Sequence, residues 1–160
     1  MGLKLSEVVK NKDKTVLHFL RYYGCRICQL DIENYMKLND AIKNKFAQLF
    51  IVLQSKPITI KNAMPEEILP FNIICDPDQK LYKLYDIGSF VDFSLVGKEK
   101  MEKAMARIQT LGLVHGEYEG NEQQLPALFI IDKNMNVIYE NYADHITDMP
   151  TPKEIVETLI

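Results

Sequence analysis

Residues 14–21 place Val16, His18 and Leu20 on one side and Leu17 and Phe19 on the other. Apolar groups on both sides predict a central strand buried from both faces. From Cys25 onward the period changes. Cys28, Ile32, Tyr35, Leu38, Ile42 and Phe46 recur at helical spacing, and Arg26, Lys37, Asp40, Lys43 and Asn44 fill the opposite face. That pattern predicts a long amphipathic helix. Ala47 to Leu53 is a second apolar run of strand length. Pro57 and Pro65 bracket a mixed segment expected to hold a short helix. Phe71 to Cys75 reads as a third strand, stopped by Asp76-Pro77-Asp78. A helix over 78–86 should follow, with Asp78 as its cap.

Residues 88–97 show no clear period, whereas Lys98 to Leu111 puts Met101, Met105, Ile108 and Leu111 near one helical face. Gly112 to Gln124 is polar and glycine-rich, so it reads as loop. Ala127–Asp132 and Val137–Tyr142, separated by four turn residues, predict an antiparallel hairpin. Thr151-Pro152-Lys153-Glu154 has the form of a capping box with proline at the first helical position, opening a last helix over 152–159. Early alternation of strands and helices implies parallel strands with crossover helices; the late hairpin adds antiparallel ones. The expected fold class is therefore α/β, a central mixed sheet with helices on both faces. No linker or repeat divides residues 1–160, so a single domain is expected.

Composition narrows the function. A net charge of -3 argues against a nucleic-acid partner, which normally meets a basic surplus. No apolar run approaches the ~20 residues of a membrane span, and the N-terminus has no signal-peptide core. The three cysteines, Cys25, Cys28 and Cys75, are too few and too odd for a secreted disulfide scaffold. A reducing, cytoplasmic setting is expected, with any disulfide transient.

Cys25 and Cys28 form a Cys-x-x-Cys pair where the first strand hands over to the first long helix. In that context the pair is a redox motif. A helix N-terminus favours an anion, so a cysteine in the first turn should be acidic. Arg21 and Arg26 add positive charge. Three positions bring two sulfurs across one turn, within reach of a disulfide. Cys28 begins the buried stripe, whereas Cys25 is expected to face water and attack first. Two other readings stay open: both cysteines are packing residues, or they hold zinc, for which the scattered Cys75, His18, His115 and His145 would have to supply further ligands. His18 is expected in the sheet, His115 and His145 in solvent, and Cys75 in packing. Arg107 is expected to face water, Glu117, Glu119 and Glu122 to form a solvated acidic patch, and Tyr22, Tyr23 and Phe90 to be candidates for an exposed aromatic patch.

Four stretches carry a family resemblance: Phe19-Leu20-Arg21-Tyr22-Tyr23-Gly24-Cys25-Arg26-Ile27-Cys28, Cys75 to Tyr82, Gln123 to Asp132, and Asp148 to Ile155. In this order they resemble the thioredoxin superfamily, and within it the peroxiredoxin-like branch of the alkyl hydroperoxide reductase/thiol-specific antioxidant family. The resemblance implies a thioredoxin-like fold and a cis peptide before Pro126, which faces the cysteines. It makes Gly24, Arg26, Leu125 and Pro126 the expected substrate contacts, with the Leu125 backbone free to pair with an extended substrate. Two departures stand out. On the Pro-x-x-x-Thr-x-x-Cys pattern of peroxiredoxins, Cys28 takes the reactive position, Cys25 replaces the threonine and Arg21 the proline; no arginine stands beside Pro126 in sequence. The chain also lacks the Trp-Cys-Gly-Pro-Cys run of thioredoxins.

The expected function is a thiol-dependent oxidoreductase that reduces hydroperoxides through a sulfenate and an intramolecular disulfide. Alternatives are a thioredoxin-like reductase of protein or small-molecule disulfides and a non-enzymatic binding module. No cofactor or metal is implied. The expected partners are the substrate and an external thiol reductant such as a thioredoxin or glutathione system, with a homodimer as one candidate assembly and no nucleic acid or membrane.

Overall fold

The computed structural model describes residues 4–64, 69–90 and 97–159. Five strands form one sheet: β1 (Lys14–Phe19), β2 (Ala47–Leu53), β3 (Asn72–Cys75), β4 (Ala127–Asp132) and β5 (Val137–Tyr142). Their order is β3-β2-β1-β4-β5. β1, β2 and β3 are parallel, whereas β4 runs antiparallel to both β1 and β5. The helices are α1 (Leu5–Val9), α2 (Arg26–Asn44), α3 (Pro57–Ala63), α4 (Lys80–Leu84), α5 (Lys98–Leu111) and α6 (Pro152–Thr158). The fold is the α/β mixed sheet expected from the periodicities, and its thioredoxin-like form is the one that the resemblance implies.

The central strand separates two cores, as its double-sided pattern requires. Val16 and Leu20 join the α2 stripe of Cys28, Ile32, Tyr35 and Ile42, sealed by Ile155 and Leu159 at the C-terminus. Leu17 and Phe19 pack on the other face with Phe129, Tyr82 and Val9. His18 is buried on the α2 side, and its Nδ1 lies 2.7 Å from the Tyr35 hydroxyl. Thr151 and Glu154 close the reciprocal cap, with Pro152 in the first turn of α6.

Some local expectations change. Phe46 leaves the α2 stripe, because the helix stops at Asn44 and Phe46 turns into the left-handed region at φ 55°, 69 % exposed. The carboxylate serving α4 belongs to Asp76, which accepts from the Lys80 and Leu81 N–H groups at 3.0 and 2.8 Å; Asp78 instead pairs with Lys80 in solvent. Pro77 lets the chain turn so that the earlier aspartate points back at the helix start. The sequence pattern does not predict α1, which is short and mixed in composition. α3 lies where expected, although Pro65 and residues 91–96 fall outside the described residues.

Tyr82 fixes the exit of β1. Its buried hydroxyl donates to the carbonyls of Leu20 and Val52, at 2.7 and 3.0 Å. Removing that hydroxyl leaves buried acceptors at the point where the chain enters the cysteine loop. Tyr82→Phe is expected to cost about 1–2 kcal/mol of unfolding free energy, read from urea denaturation, with the fold retained.

Candidate active site

The parallel strands β1 and β2 deliver their C-terminal ends to the start of α2, and the cysteine loop spans residues 20–25 between them. Cys25 is the N-cap of α2, and its side chain makes no cap to the helix backbone. Its Sγ instead receives Arg21 Nη2 at 3.1 Å. Cys28 lies one turn on, and its Sγ receives the Arg21 backbone N–H at 3.4 Å. One residue thus donates to both sulfurs, one bond from its guanidinium and one from its main chain. Both thiols are free.

The sulfurs differ in charge. Cys25 is pulled from 9.0 down to about 5, by the thiol of Cys28 donating to it and by the Arg21 cation, against the opposing effect of burial. Burial pushes the Cys28 thiol well up, and the adjacent Cys25 thiolate adds to that. The expected acidic cysteine is present: the Cys28 thiol and the Arg21 cation lower it most, and the Cys28 backbone N–H in the first turn of α2 adds to them.

The expected water-facing Cys25 is not found: it is 3 % exposed. The reason is the chain between α5 and β4, which folds back over the loop. Gly116 donates to the Gly24 carbonyl at 2.9 Å, and a Cβ at Gly24 would collide with the Glu117 carbonyl oxygen. Gln29 holds the Val114 carbonyl at 3.0 Å. Gln54 clamps Asn121 through both backbone groups, at 2.7 and 3.2 Å. Arg21 Nη1 donates to the Glu122 carbonyl at 2.6 Å, with the Glu122 carboxylate 3.9 Å away. Glu119 accepts from the Lys56 N–H and the Thr59 hydroxyl. Glu119 is thus a structural contact rather than part of a solvated patch, whereas Glu117 and Glu122 are exposed as expected.

His115 is also brought in. Its Nε2 lies 3.0 Å from the Tyr22 hydroxyl, and its ring stacks on Tyr118. Tyr22 and Phe90 are buried, so they do not form the exposed aromatic patch. The Tyr22 ring lies under the Arg21 guanidinium, 5.1 Å from centroid to carbon.

Two hollows meet at Cys25. An inner cavity of about 50 Å³ is lined by His18, Arg21, Cys25, Cys28, Asp31, Gln124 and Pro126, among others. An outer hollow of about 190 Å³ brings Cys25 together with Arg21, Arg26, Met101, Met105 and His115. Pro126 therefore shares a cavity with both cysteines. Its peptide is trans, since no described peptide bond is cis. The preceding segment is tied down in that form: Leu125 N–H donates to the Gly88 carbonyl at 3.1 Å, and its carbonyl accepts from Gln124 Nε2 at 3.2 Å. The same bonds occupy the Leu125 backbone, so it is not free for a substrate chain. Gly24 is buried under the loop, whereas Arg26 is exposed on the outer hollow.

Sequence reasoning missed two groups in the inner cavity. Asp31 sits three residues after Cys28, hence on the same helical face. Burial, then the Cys25 thiolate, lifts its carboxyl to about 7. His18 is held neutral by burial, at about 3, and its Nε2 is buried without a partner. The i to i+3 spacing from Cys28 was the available signal for Asp31. Arg21 enters the family pattern only as a departure, yet folding sets it in one cavity with Pro126. Cys75 closes β3, two strands away and outside that cavity. Among the described residues no cluster of histidine, cysteine or acid side chains could hold a metal. No described helix is long and apolar enough to cross a membrane.

Several solved structures share the fold. The reduced 2-Cys peroxiredoxin of Plasmodium vivax superposes with a TM-score of 0.65 at 14% identity, covering 97% of this chain and 67% of that one. A mutant form of the peroxiredoxin 6 of Arenicola marina gives 0.65 at 14%, covering 98% and 64%. Xanthomonas campestris peroxiredoxin Q gives 0.63 at 11%, covering 94% and 79%. The chain thus spans about two thirds of the length of the first two. No curated protein matches it in sequence. The model of the AhpC/TSA family, however, matches residues 2–140. The chain belongs to the AhpC/TSA family.

Proposed function

We propose that this protein is a thiol peroxidase in which Cys25 attacks the hydroperoxide and Cys28 resolves the product. The observation that carries this reading is the Arg21 guanidinium 3.1 Å from the Cys25 sulfur. It favours the thiolate, and it offers charged donors where the peroxide oxygens would lie. Family membership supports the substrate class. The inner cavity, about 50 Å³, has room for a group the size of hydrogen peroxide.

The chemistry then runs in two steps. The Cys25 thiolate attacks one peroxide oxygen; the O–O bond breaks, and the departing alkoxide takes a proton. Cys25 is left as sulfenic acid. Cys28 next gives up its proton and attacks the Cys25 sulfur, forming the disulfide and releasing water. Asp31 is the proton acceptor for Cys28 in this scheme. A carboxyl poised near 7 in the same cavity can take and return a proton at neutral pH. An external thiol restores the dithiol.

The missing threonine of the peroxiredoxin pattern favours a second reading, in which Cys25 attacks a disulfide instead and Cys28 releases the mixed disulfide. Intact-mass kinetics separate the two. With Cys28→Ser, hydrogen peroxide should convert Cys25 to a sulfenate far faster than it oxidises free cysteine. A trapped mixed disulfide with a model disulfide, and no such peroxide reaction, would support the second reading instead.

The charge states make two further expectations. In the reduced protein, thiolate absorbance near 240 nm should appear with a midpoint near 5. Arg21→Met should move it upward by at least about one unit. A midpoint at the ordinary thiol value would sink the assignment of Cys25.

Asp31→Asn should leave sulfenate formation intact and slow disulfide formation about tenfold or more, removing the midpoint near 7 from that step alone. The same carboxyl has a stability signature. Its folded value, about 7, lies above the ordinary 3.8, so the folded state binds the extra proton between them and loses stability as pH rises through that window. Asp31→Asn is therefore expected to melt higher than the parent at pH 8, with no such gain at pH 3.

A further inference from the structure

The inner cavity opens into a groove with a different character. The groove encloses about 240 Å³ between α2, α5 and residues 146–152, and it shares Ile27, Asp31, Ile146 and Met149 with the cysteine cavity. Its α5 wall presents Lys100, Lys103 and Arg107. Positions i, i+3 and i+7 lie along one helical face, so the three cations form a stripe leading from the cysteines. All three are exposed, in a chain whose net charge is -3. Arg107 makes no ion pair or hydrogen bond among the described residues. Lys103 pairs with Glu99 in open solvent, where such a pair neutralises little. Lys100 donates to the Met149 carbonyl and also acts on Glu154. Asp31 is the acidic side chain lining the groove.

We infer that this groove receives the reductant, and that the reductant is a small thiol bearing one or more carboxylates. The inference rests on the peroxidase reading, because it concerns the Cys25–Cys28 disulfide which that reading generates. The attacking species in reduction is itself a thiolate. It must approach a site where the departing sulfur develops negative charge. A cationic wall offsets that repulsion and concentrates anions at the mouth. The groove's volume lies just below the ~300–1,000 Å³ of typical small-molecule pockets, which suits a short peptide thiol rather than a protein domain.

The reaction balances as thiol–disulfide exchange. A first RS⁻ attacks the Cys25 sulfur, the Cys25–Cys28 bond breaks, and Cys28 leaves with the electron pair and takes a proton from Asp31. A second RS⁻ attacks the bound RS sulfur and expels the Cys25 thiolate, giving RSSR. Two RSH are oxidised by two electrons, and the protein disulfide is reduced by two.

The test oxidises the protein with diamide, so that it does not depend on any hydroperoxide. Recovery of the dithiol is followed by mass with 3-mercaptopropionate, 2-mercaptoethanol and cysteamine. These carry a negative, zero and positive charge beside the thiol. Each rate is corrected for thiolate fraction and divided by the rate of the same thiol with hydroxyethyl disulfide. At low salt the wild type should favour 3-mercaptopropionate over 2-mercaptoethanol by about tenfold on this scale, and ~0.5 M salt should reduce the preference. Lys100→Gln/Lys103→Gln/Arg107→Gln should abolish it, leaving the 2-mercaptoethanol rate within about twofold. Lys100→Arg/Lys103→Arg/Arg107→Lys should keep it. Equal normalised rates for the three thiols, or a preference that survives the triple glutamine variant, would overturn the groove assignment while the peroxide assay stands on its own. Failure of diamide to link Cys25 and Cys28 would overturn both.

Discussion

A guanidinium held against a sulfur organises this molecule. Arg21 enters straight from the end of the central strand, and its charge is only partly exposed to water. Partial burial of a cation is costly unless acceptors surround it. Here they are the Cys25 sulfur, the Glu122 carbonyl and the face of Tyr22. The Arg21 main chain is committed as well. Its N–H goes to Cys28, and its carbonyl accepts from Gln54. Protonating Cys25 would remove the nearer of the guanidinium's two anionic partners and weaken its hold on the loop. The charge on one sulfur and the seating of residues 112–124 are therefore physically linked.

That segment is long for a connection without regular structure, and such loops need many contacts to stay in one place. It has them. Glycine is required where it crosses the cysteine loop, because Gly24 leaves no room for a side chain against Glu117. Gly120 adopts φ +67°, which lets the backbone pass over the Gln54 amide. Gln54 is almost fully buried and spends its amide on Arg21, Asn121 and Gln79. The end of β2 thus fastens both the cysteine loop and the segment above it. A polar side chain buried this deeply is tolerated only when its bonds are made, so the network specifies a single arrangement.

The strands and long helices were legible because one periodicity governs each of them. Val16 and Leu17 face opposite cores, and Cys28, Ile32 and Tyr35 share one. The local errors came where two neighbours compete for one role. Asp76 and Asp78 are both suitable caps, and only the turn at Pro77 decides between them. Phe46 continues the helical spacing, but a left-handed residue ends the helix first. The site was less legible for a different reason. The bond from Arg21 to Glu122 joins residues 101 positions apart, and Tyr22 to His115 spans 93. No local pattern carries such pairings. Exposure of Cys25, of Tyr22 and Phe90 and of Glu119 all depended on that returning segment, so these expectations failed together. The trans peptide at Pro126 also belongs to this group, since the bond from Leu125 to Gly88 is long-range.

The family pattern and the electrostatics point to different sulfurs. By spacing, Cys28 occupies the reactive position of the peroxiredoxin motif and Cys25 that of its threonine. Reactivity, however, follows thiolate character and access rather than position in a motif. Both sulfurs are almost fully covered, but the setting of Cys28 disfavours its thiolate: its nearest cation is engaged with its neighbour, and its own proton is turned toward that neighbour's sulfur. Cys25 receives the guanidinium and borders both hollows. A thiol at the threonine position keeps one property of a hydroxyl there, since it lies one turn from the second sulfur and hydrogen-bonds with it. It adds another, because it can hold the negative charge itself. In the proposed mechanism, cysteine in place of threonine next to an arginine is thus a chemically coherent exchange: the hydrogen-bond partner acts as the nucleophile, and the thiol at the motif's reactive position acts as the resolving one. Asp31 fits that exchange, since a resolving thiol that stays protonated needs a proton acceptor, and a nucleophile already ionised does not.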